Sequence, residues 1–542
     1  MKRKTLPLIA LLAVLMLISS GLTLAAPAAP TADWQSKVDP WVLNTARAQG
    51  ETEFLVYLAD QADLSAADTL TTKLEKGTFV YETLSRKAAE TQGPVLDALK
   101  ASGAEYRAYW VANMVWVRGR QDTVESMARR ADVAHIYANP TVHFDEPVET
   151  ILNTAPVTPD TIEWNIALVN APQVWAAGFT GQGAVIGGQD TGYQWDHPAL
   201  KNQYRGWNGS SADNNYNWHD SIHSGGGVCG ANSAFPCDDH GHGTHTMGTM
   251  VGDDGAGNQV GMAPGARWIG CRNMDQGNGT PASYSECYQW FIAPTDLNDA
   301  NPNPAMAPDV ISNSWSCPVS EGCTDPNVML TLVNNVRAAG ILSSHSAGNS
   351  GSACSTVSEP AGIYDASYTV GSTTSSNTIS SFSSRGPVTV DGSNRLKPDI
   401  SAPGSSIRST YPTNSYATLS GTSMAAPHVA GLVGLLISVR PDWSGNVDQL
   451  ENTINATALQ LTTTQECGGI PGSQIPNNTF GYGRIDAFAA YQAAVIPTAV
   501  ALSGFAGSPA AMPANALPML ALPAATGLAL AGAYVASKRR RS

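Results

Sequence analysis

Between residues 163 and 495 the chain alternates short apolar runs with stretches of helical spacing, and this alternation narrows the fold more than any other feature. Ala184-Val185-Ile186-Gly187, Trp268-Ile269-Gly270, Val310-Ile311-Ser312 and Ile341-Leu342-Ser343 read as buried strands, and stretches beginning near His242, Asn327 and Ser423 read as helices. Runs apolar on both faces, separated by helices, belong to a doubly wound α/β sheet covered on each side. Such sheets carry their chemistry at the carboxyl ends of the strands. With 542 residues the chain also exceeds a single core, which stops growing near ~250–300 residues.

The region before this body has a different rhythm. Residues 27–52 are rich in Ala and Pro and are expected to be unstructured. Phe54–Leu58 then reads as a strand, Val80–Ala101 as helical, and Tyr106–Trp110 and Met114–Val117 as two strands around a turn at Val111-Ala112-Asn113. A short helix capped by Asp122 and a strand at Ala134–Tyr137 follow. The order β-α-β-β-α-β over residues 53–142 predicts a small α+β domain of the ferredoxin-like type. Residues 143–162, with Pro147, Pro156 and Pro159 and no apolar period, read as an exposed linker to the body at 163–495.

Both ends suggest export. Met1-Lys2-Arg3-Lys4, the apolar run Leu6–Ile18 and the small residues Leu24-Ala25-Ala26 have the form of a signal peptide over 1–26. The 8 cysteines all lie between Cys229 and Cys467, an even count that in an exported chain reads as disulfides. Local closures at Cys229–Cys237 and Cys317–Cys323 are expected. After Asp486 no charged residue occurs until Lys538-Arg539-Arg540-Arg541. Residues 496–516 read as a flexible spacer and 517–542 as a hydrophobic anchor with a basic tail, for Leu517–Ala536 suffices to cross a ~30 Å hydrocarbon core. The chain is thus expected outside the cell and anchored at its surface, with the basic cluster inside.

Charge removes one class of partner. Residues 160–490 carry 11 Lys+Arg against 26 Asp+Glu, so no basic face exists for nucleic acid. Three short motifs carry chemistry instead. Asp190-Thr191-Gly192 ends the first body strand, where a tight turn would hold an acid. Asp238–Gly248 holds His240, His242 and His245, but their spacing lacks the His-Glu-x-x-His pattern of zinc peptidases. A base at His242, with Gly for close approach, fits better, and His245 reads as a packed residue. In Leu419–Gly431, Ser423 opens an apolar helix whose unpaired N–H groups favour developing negative charge. His428 falls about 140° around that helix from Ser423 and reads as core.

Asp190-Thr191-Gly192, His242-Gly243-Thr244-His245 and Gly421-Thr422-Ser423-Met424-Ala425-Ala426-Pro427 together resemble the subtilisin-like serine proteases. The Asp…His…Ser order is that family's, and the resemblance spans about 163–490. The run from Trp164 to Tyr204 is most similar to the bacillopeptidase F group, and 53–140 to the family's inhibitory propeptide domain. The resemblance implies a serine endopeptidase acting on protein or peptide substrates, made as a precursor held by its own propeptide. It implies His242 as base and acid, Asp190 as its orienting partner, Ser423 as nucleophile and Asn349, in Ser346-Ala347-Gly348-Asn349-Ser350, as oxyanion donor. It also implies that Ser314-Trp315-Ser316 lines the first substrate pocket, with Trp315 as a core aromatic the competing reading.

No cofactor is required by this chemistry, and no metal ligand set is assigned. The family often has Asp in the place of Ala199, ligating a structural calcium, and alanine offers no side-chain oxygen there. Asp253-Asp254-Gly255-Ala256-Gly257-Asn258 supplies other oxygens. Two readings compete with the protease: a surface protein that keeps the scaffold for binding, and a zinc hydrolase at His240–His245. The first predicts loss of Asp190, His242, Asn349 or Ser423, and all four are present.

Overall fold

The computed structural model describes residues 34–143, 147–153, 161–225 and 227–495. The expected signal peptide (1–26), the spacer (496–516) and the anchor (517–542) lie outside the described residues, as do 27–33, 144–146 and 154–160.

The N-terminal lobe begins earlier than expected. Within the lead read as unstructured, Trp34–Lys37 forms a turn of 3-10 helix and Pro40–Gln49 forms helix α1. Asp39 caps α1 by accepting the Trp41 N–H at 2.9 Å, Pro40 fills a first-turn position, and Gly50 ends it in the left-handed conformation (φ 82°). Ala/Pro content hid an ordinary helix whose Val42, Leu43 and Ala46 are buried.

Strand β1 (Thr52–Leu58) follows, then α2 (Lys73–Thr91), α3 (Gly93–Ser102), β2 (Glu105–Tyr109), β3 (Met114–Gly119), α4 (Gln121–Ala128) and β4 (Val133–Ala138). The strands form an antiparallel sheet in the order β2-β3-β1-β4. Arg120, not Asp122, precedes α4; Asp122 sits in its first turn and accepts the Thr123 N–H at 2.9 Å. Side chains alternate across the sheet. Phe54, Val56, Val115 and Val117 share a core with α1, α3 and α4, whereas Leu55, Tyr57, Met114 and Trp116 belong to a core shared with the body. Both faces are therefore apolar, and the lobe lacks a solvated sheet face.

Two segments join lobe to body. Strand β5 (Val142–His143) and strand β6 (Glu149–Asn153) are both paired, although 143–162 reads as linker. Short strands held by backbone bonds at a sheet edge need no apolar period, so the sequence did not announce them.

The body adds β7 (Thr161–Ile162), α5 (Trp164–Leu168), α6 (Ala171–Ala176), β8 (Val185–Asp190), β9 (Trp218–Asp220), α7 (His242–Val251), β10 (Asn258–Gln259) and β11 (Arg267–Arg272). Then come β12 (Met274–Asp275), β13 (Asn278–Gly279), α8 (Pro281–Ile292), β14 (Val310–Asn313), α9 (Leu330–Ala338), β15 (Leu342–Ser346) and β16 (Tyr368–Thr373). The chain continues through β17 (Ile400–Pro403), β18 (Ile407–Tyr411), β19 (Ser415–Ser420), α10 (Thr422–Val439), α11 (Val447–Thr457) and α12 (Ala487–Val495).

The central sheet has seven strands in the order β17-β16-β15-β14-β8-β11-β9, and every pairing is parallel. The body is thus mixed α/β around one large parallel sheet. Helix α10 is long and apolar enough to cross a membrane, but 94% of it is buried inside the protein, so it is a core helix. Glycine lets it approach its neighbours: a Cβ on Gly431 would stand 2.4 Å from the Met262 side chain.

Four disulfides stitch the body: the expected Cys229–Cys237 and Cys317–Cys323, and in addition Cys271–Cys287 and Cys354–Cys467. The last closes 113 residues, and long loops lose the most unfolded-state entropy when cross-linked. Replacing Cys354 and Cys467 together by Ala is expected to lower the unfolding free energy by about 4 kcal/mol, read from denaturant titration. An unchanged midpoint would contradict it.

Candidate active site

Asp190 is the last residue of β8, at the carboxyl edge of the parallel sheet. Its Oδ1 accepts the Thr191 N–H at 2.8 Å and lies 2.7 Å from His242 Nδ1, while Oδ2 accepts from Thr246 Oγ1 at 3.2 Å. A carboxylate only accepts, so Nδ1 donates, and in the neutral ring Nε2 holds the lone pair. Both side chains are buried, His242 at 1% and Asp190 at 2% exposure, which keeps water from competing for this bond. The glycine after His242 is a packing requirement: a Cβ on Gly243 would sit 2.1 Å from the Gly192 carbonyl oxygen. Thr246 lies one helical turn beyond His242 and so returns to the same face. Its i+4 spacing from His242 is the one sign of this role in the sequence.

Ser423 is the second residue of α10, preceded by Gly421 as the cap. It is 5% exposed; its Oγ lies 3.5 Å from the Ser314 carbonyl, and Ser314 Oγ donates to the Ser423 carbonyl at 3.1 Å. Asn349, just beyond β15, is fixed by Thr422. Its Oδ1 accepts the Thr422 N–H and the Thr422 hydroxyl, each at 2.9 Å. A backbone N–H can only donate, so the oxygen faces Thr422 and the amide Nδ2 is left to donate elsewhere. That Nδ2 stands 3.6 Å from where a Cβ on Gly421 would be. Helices α7 and α10 pack against each other, and the partners of His242 and Ser423 stand on neighbouring parallel strands: Asp190 ends β8, Ser314 follows β14 and Asn349 follows β15. A buried acid–imidazole pair, a serine at a helix N-terminus and a fixed amide donor are the parts that acyl transfer needs.

The family model for subtilases matches residues 181–483. The chain belongs to the subtilase family. It is 33% identical over 499 residues to bacillopeptidase F of Bacillus subtilis (strain 168), an alignment covering 85% of this chain and 32% of that relative. It is 32% identical over 304 residues to subtilisin DY of Bacillus licheniformis, covering 56% of this chain and 93% of the relative. The chain therefore spans about a third of the length of bacillopeptidase F. Residues 181–483 form a subtilisin-type serine endopeptidase domain.

The other expected site residues of this subtilase divide. The Trp315 indole stacks on Tyr284 (centroids 4.0 Å apart, 20° between planes) and is 4% exposed with β5 in place, in one apolar cluster with Val142. Residues 314–316 form no strand; the ladder partner in this region is β13, paired with β5. Neither β13 nor Glu321, which contacts His143, stood out in the sequence, because two-residue strands and a lone acid in a loop leave no pattern.

The histidines of 240–245 are not gathered for a metal. His242 is bound to Asp190, and His245 Nε2 lies 3.0 and 3.1 Å from the carbonyls of Ile407 and Ala417. Among the described residues no group of three or more His, Cys, Asp or Glu is arranged to hold an ion. Ala199 is fully buried, while Asp253 and Asp254 turn onto the N–H groups of Gly255, Ala256 and Asn258. No part of the chemistry is assigned to an ion at these residues.

Burial pushes His245 and His345 down to about 3 and His428 down to about 4. All three are neutral in the native protein, whereas an unfolded histidine gains a proton below pH ~6.5. Stability is complete above that pH and declines as pH falls toward 4, by about 1.4 kcal/mol per pH unit for each site. Thermal unfolding measured from pH 6.5 to 4.5 should show a steep fall in Tm; a flat profile would contradict this assignment.

Proposed function

We propose that the chain is the precursor of a secreted serine endopeptidase that hydrolyses peptide bonds through an acyl-enzyme intermediate. The observation that carries this reading is the buried 2.7 Å His242–Asp190 bond in the corner that holds Ser423 and the Asn349 amide. His242 Nε2 removes the proton of Ser423 Oγ as it attacks the scissile carbonyl. Asp190 keeps Nδ1 protonated and stabilises the imidazolium that forms. Asn349 Nδ2 and the Ser423 N–H bind the oxyanion; loss of the equivalent side-chain donor in subtilisin costs about 10²–10³ in turnover. His242 then protonates the leaving amine, and water repeats the sequence to release the acyl group.

The lobe at 53–142 acts as a ferredoxin-like propeptide that blocks the cleft in cis. Its strand order supports this, and so do the segments that follow it. β5 adds to β13 as an antiparallel edge strand, with Val142 opposite Gly279 and His143 opposite Asn278. β6 lies antiparallel on β19, and the Val148 N–H donates to the Ser420 carbonyl at 2.8 Å, just before Ser423. His143 and Val148 are thus held on two different edges of the body, and maturation cleaves the polypeptide between them. A substrate follows the same edge: an extended peptide pairs with β13, its side chain opposite Gly279 entering the apolar cluster of Met274, Tyr284 and Trp315.

Ser423→Ala should abolish labelling by a fluorophosphonate and leave the precursor uncut, with an unchanged circular dichroism spectrum. Labelling at another serine, or self-cleavage of the purified variant, would overturn the reading in favour of a different nucleophile. Four disulfides support export to an oxidising compartment. The uncharged stretch before Lys538–Arg541 supports surface anchoring. Removing residues 515–542 should release active enzyme into the medium, and full-length enzyme already free there with its tail intact would contradict anchoring.

A further inference from the structure

The loop closed by Cys317–Cys323 follows Ser314–Ser316 directly, and together with Thr324 just beyond it meets the N-terminal lobe and β5. Gly322 (φ 116°) stands against Trp41, where a Cβ would meet the ring at 2.6 Å. Thr324 Oγ1 donates to Asp39 Oδ1 at 2.6 Å. Glu321, the only charged residue between the two cysteines, does more. Its Oε2 accepts the backbone N–H of His143 at 2.8 Å, and its Oε1 accepts from His143 Nδ1 at 2.9 Å. One carboxylate thus binds both the main chain and the side chain of β5, opposite the edge held by β13.

The register explains why His143 meets it. Successive side chains of a strand point to opposite faces. Val142 is fully buried in the body core, so the His143 side chain projects outward, 71% exposed, to the loop. Once the lobe leaves, Glu51, Glu53 and Arg118, which border the same hollow, leave with it. Glu321 remains, carried by a seven-residue loop that a disulfide closes at its base.

We propose that Glu321 is a specificity-determining residue of the mature enzyme. It selects a cationic side chain at the substrate position that His143 occupies, one residue after the side chain seated in the Val142 pocket. It also accepts that residue's backbone N–H, which excludes proline there. This rests on the endopeptidase reading and on β5 marking the path of the substrate. The Glu321 side chain is 27% exposed, so water screens the pair and selectivity is modest.

The test uses processed enzyme and internally quenched peptides copied from residues 138–152, carrying His143→Arg, His143→Gln, His143→Glu or His143→Pro. For the parent enzyme kcat/KM should fall about three- to five-fold from the Arg to the Gln peptide, fall again for Glu, and be lowest for Pro. Glu321→Gln keeps an acceptor oxygen, so it should erase the Arg–Gln difference and retain discrimination against Pro. Glu321→Lys should place the Glu peptide above the Arg peptide. Should either variant fail to fold, raising salt to ~1 M with the parent enzyme should shrink the Arg preference.

Equal cleavage of the Arg and Gln peptides by the parent overturns the proposal, as does a preference that survives in Glu321→Gln or at high salt. If casein is degraded but none of the peptides is cut, the path along β13 is wrong and the proposal falls while the endopeptidase reading stands. If neither casein nor peptide is cut, the endopeptidase reading itself fails, and the proposal with it.

Discussion

The structure depends on burying one helix from end to end. α10 packs against β14, β15, β16 and β17 and against α7 and α12, and all but its last residue are buried. Burying apolar side chains contributes roughly 25 cal/mol per Å², which makes the central body of this helix a strong anchor. The position of its N-terminus is therefore fixed by the core, and the N-terminus carries the chemistry. Thr422 immobilises Asn349 there, Ser423 lies beside Ser314, and the positive end of the helix dipole faces the same buried corner. The imidazole arrives on α7, whose approach to the β8 turn needs glycine at 243.

The seam between lobe and body follows a different rule. The lobe's sheet is apolar on both faces, so one face must be covered by the body. A polar cluster sits within that seam. Glu286 of α8 accepts from Tyr109 at 2.9 Å and lies 2.9 Å from the Nε2 atoms of both His219 and His223. Burial alone would raise the Glu286 carboxyl, but the hydrogen bonds from the two histidines outweigh it and hold the group well below the usual carboxylate range. The lobe thus meets the body through an apolar sheet face, a satisfied carboxylate and two short edge strands. Backbone pairing holds β5 on β13 and β6 on β19, an arrangement that a flexible linker would not keep.

The sequence carried the parts of the site that geometry makes short and local. Asp190-Thr191-Gly192, His242-Gly243-Thr244-His245 and Gly421-Thr422-Ser423 are legible because each element end needs a reactive side chain among small residues that permit close approach. The parallel sheet was legible from apolar runs of strand length. Helix α1 was not, because Ala and Pro also mark disordered leads and only the contacts of Val42, Leu43 and Ala46 make that segment ordered. β5 and β6 were not, because backbone hydrogen bonds at a sheet edge put no demand on side-chain pattern.

By itself the sequence determined the α/β class of the body, the chain order of its chemical residues and the local cysteine closures at 229–237 and 317–323, since each depends on residues close together or on periodicity. Only the tertiary structure decided that Trp315 stacks on Tyr284 within the core, that Cys271 meets Cys287 and Cys354 meets Cys467, that Thr422 orients Asn349, and that Glu321 meets His143. Each of those depends on distances between residues far apart in the chain. Such distances follow from how helices and sheets pack, and no local pattern of residue types encodes them.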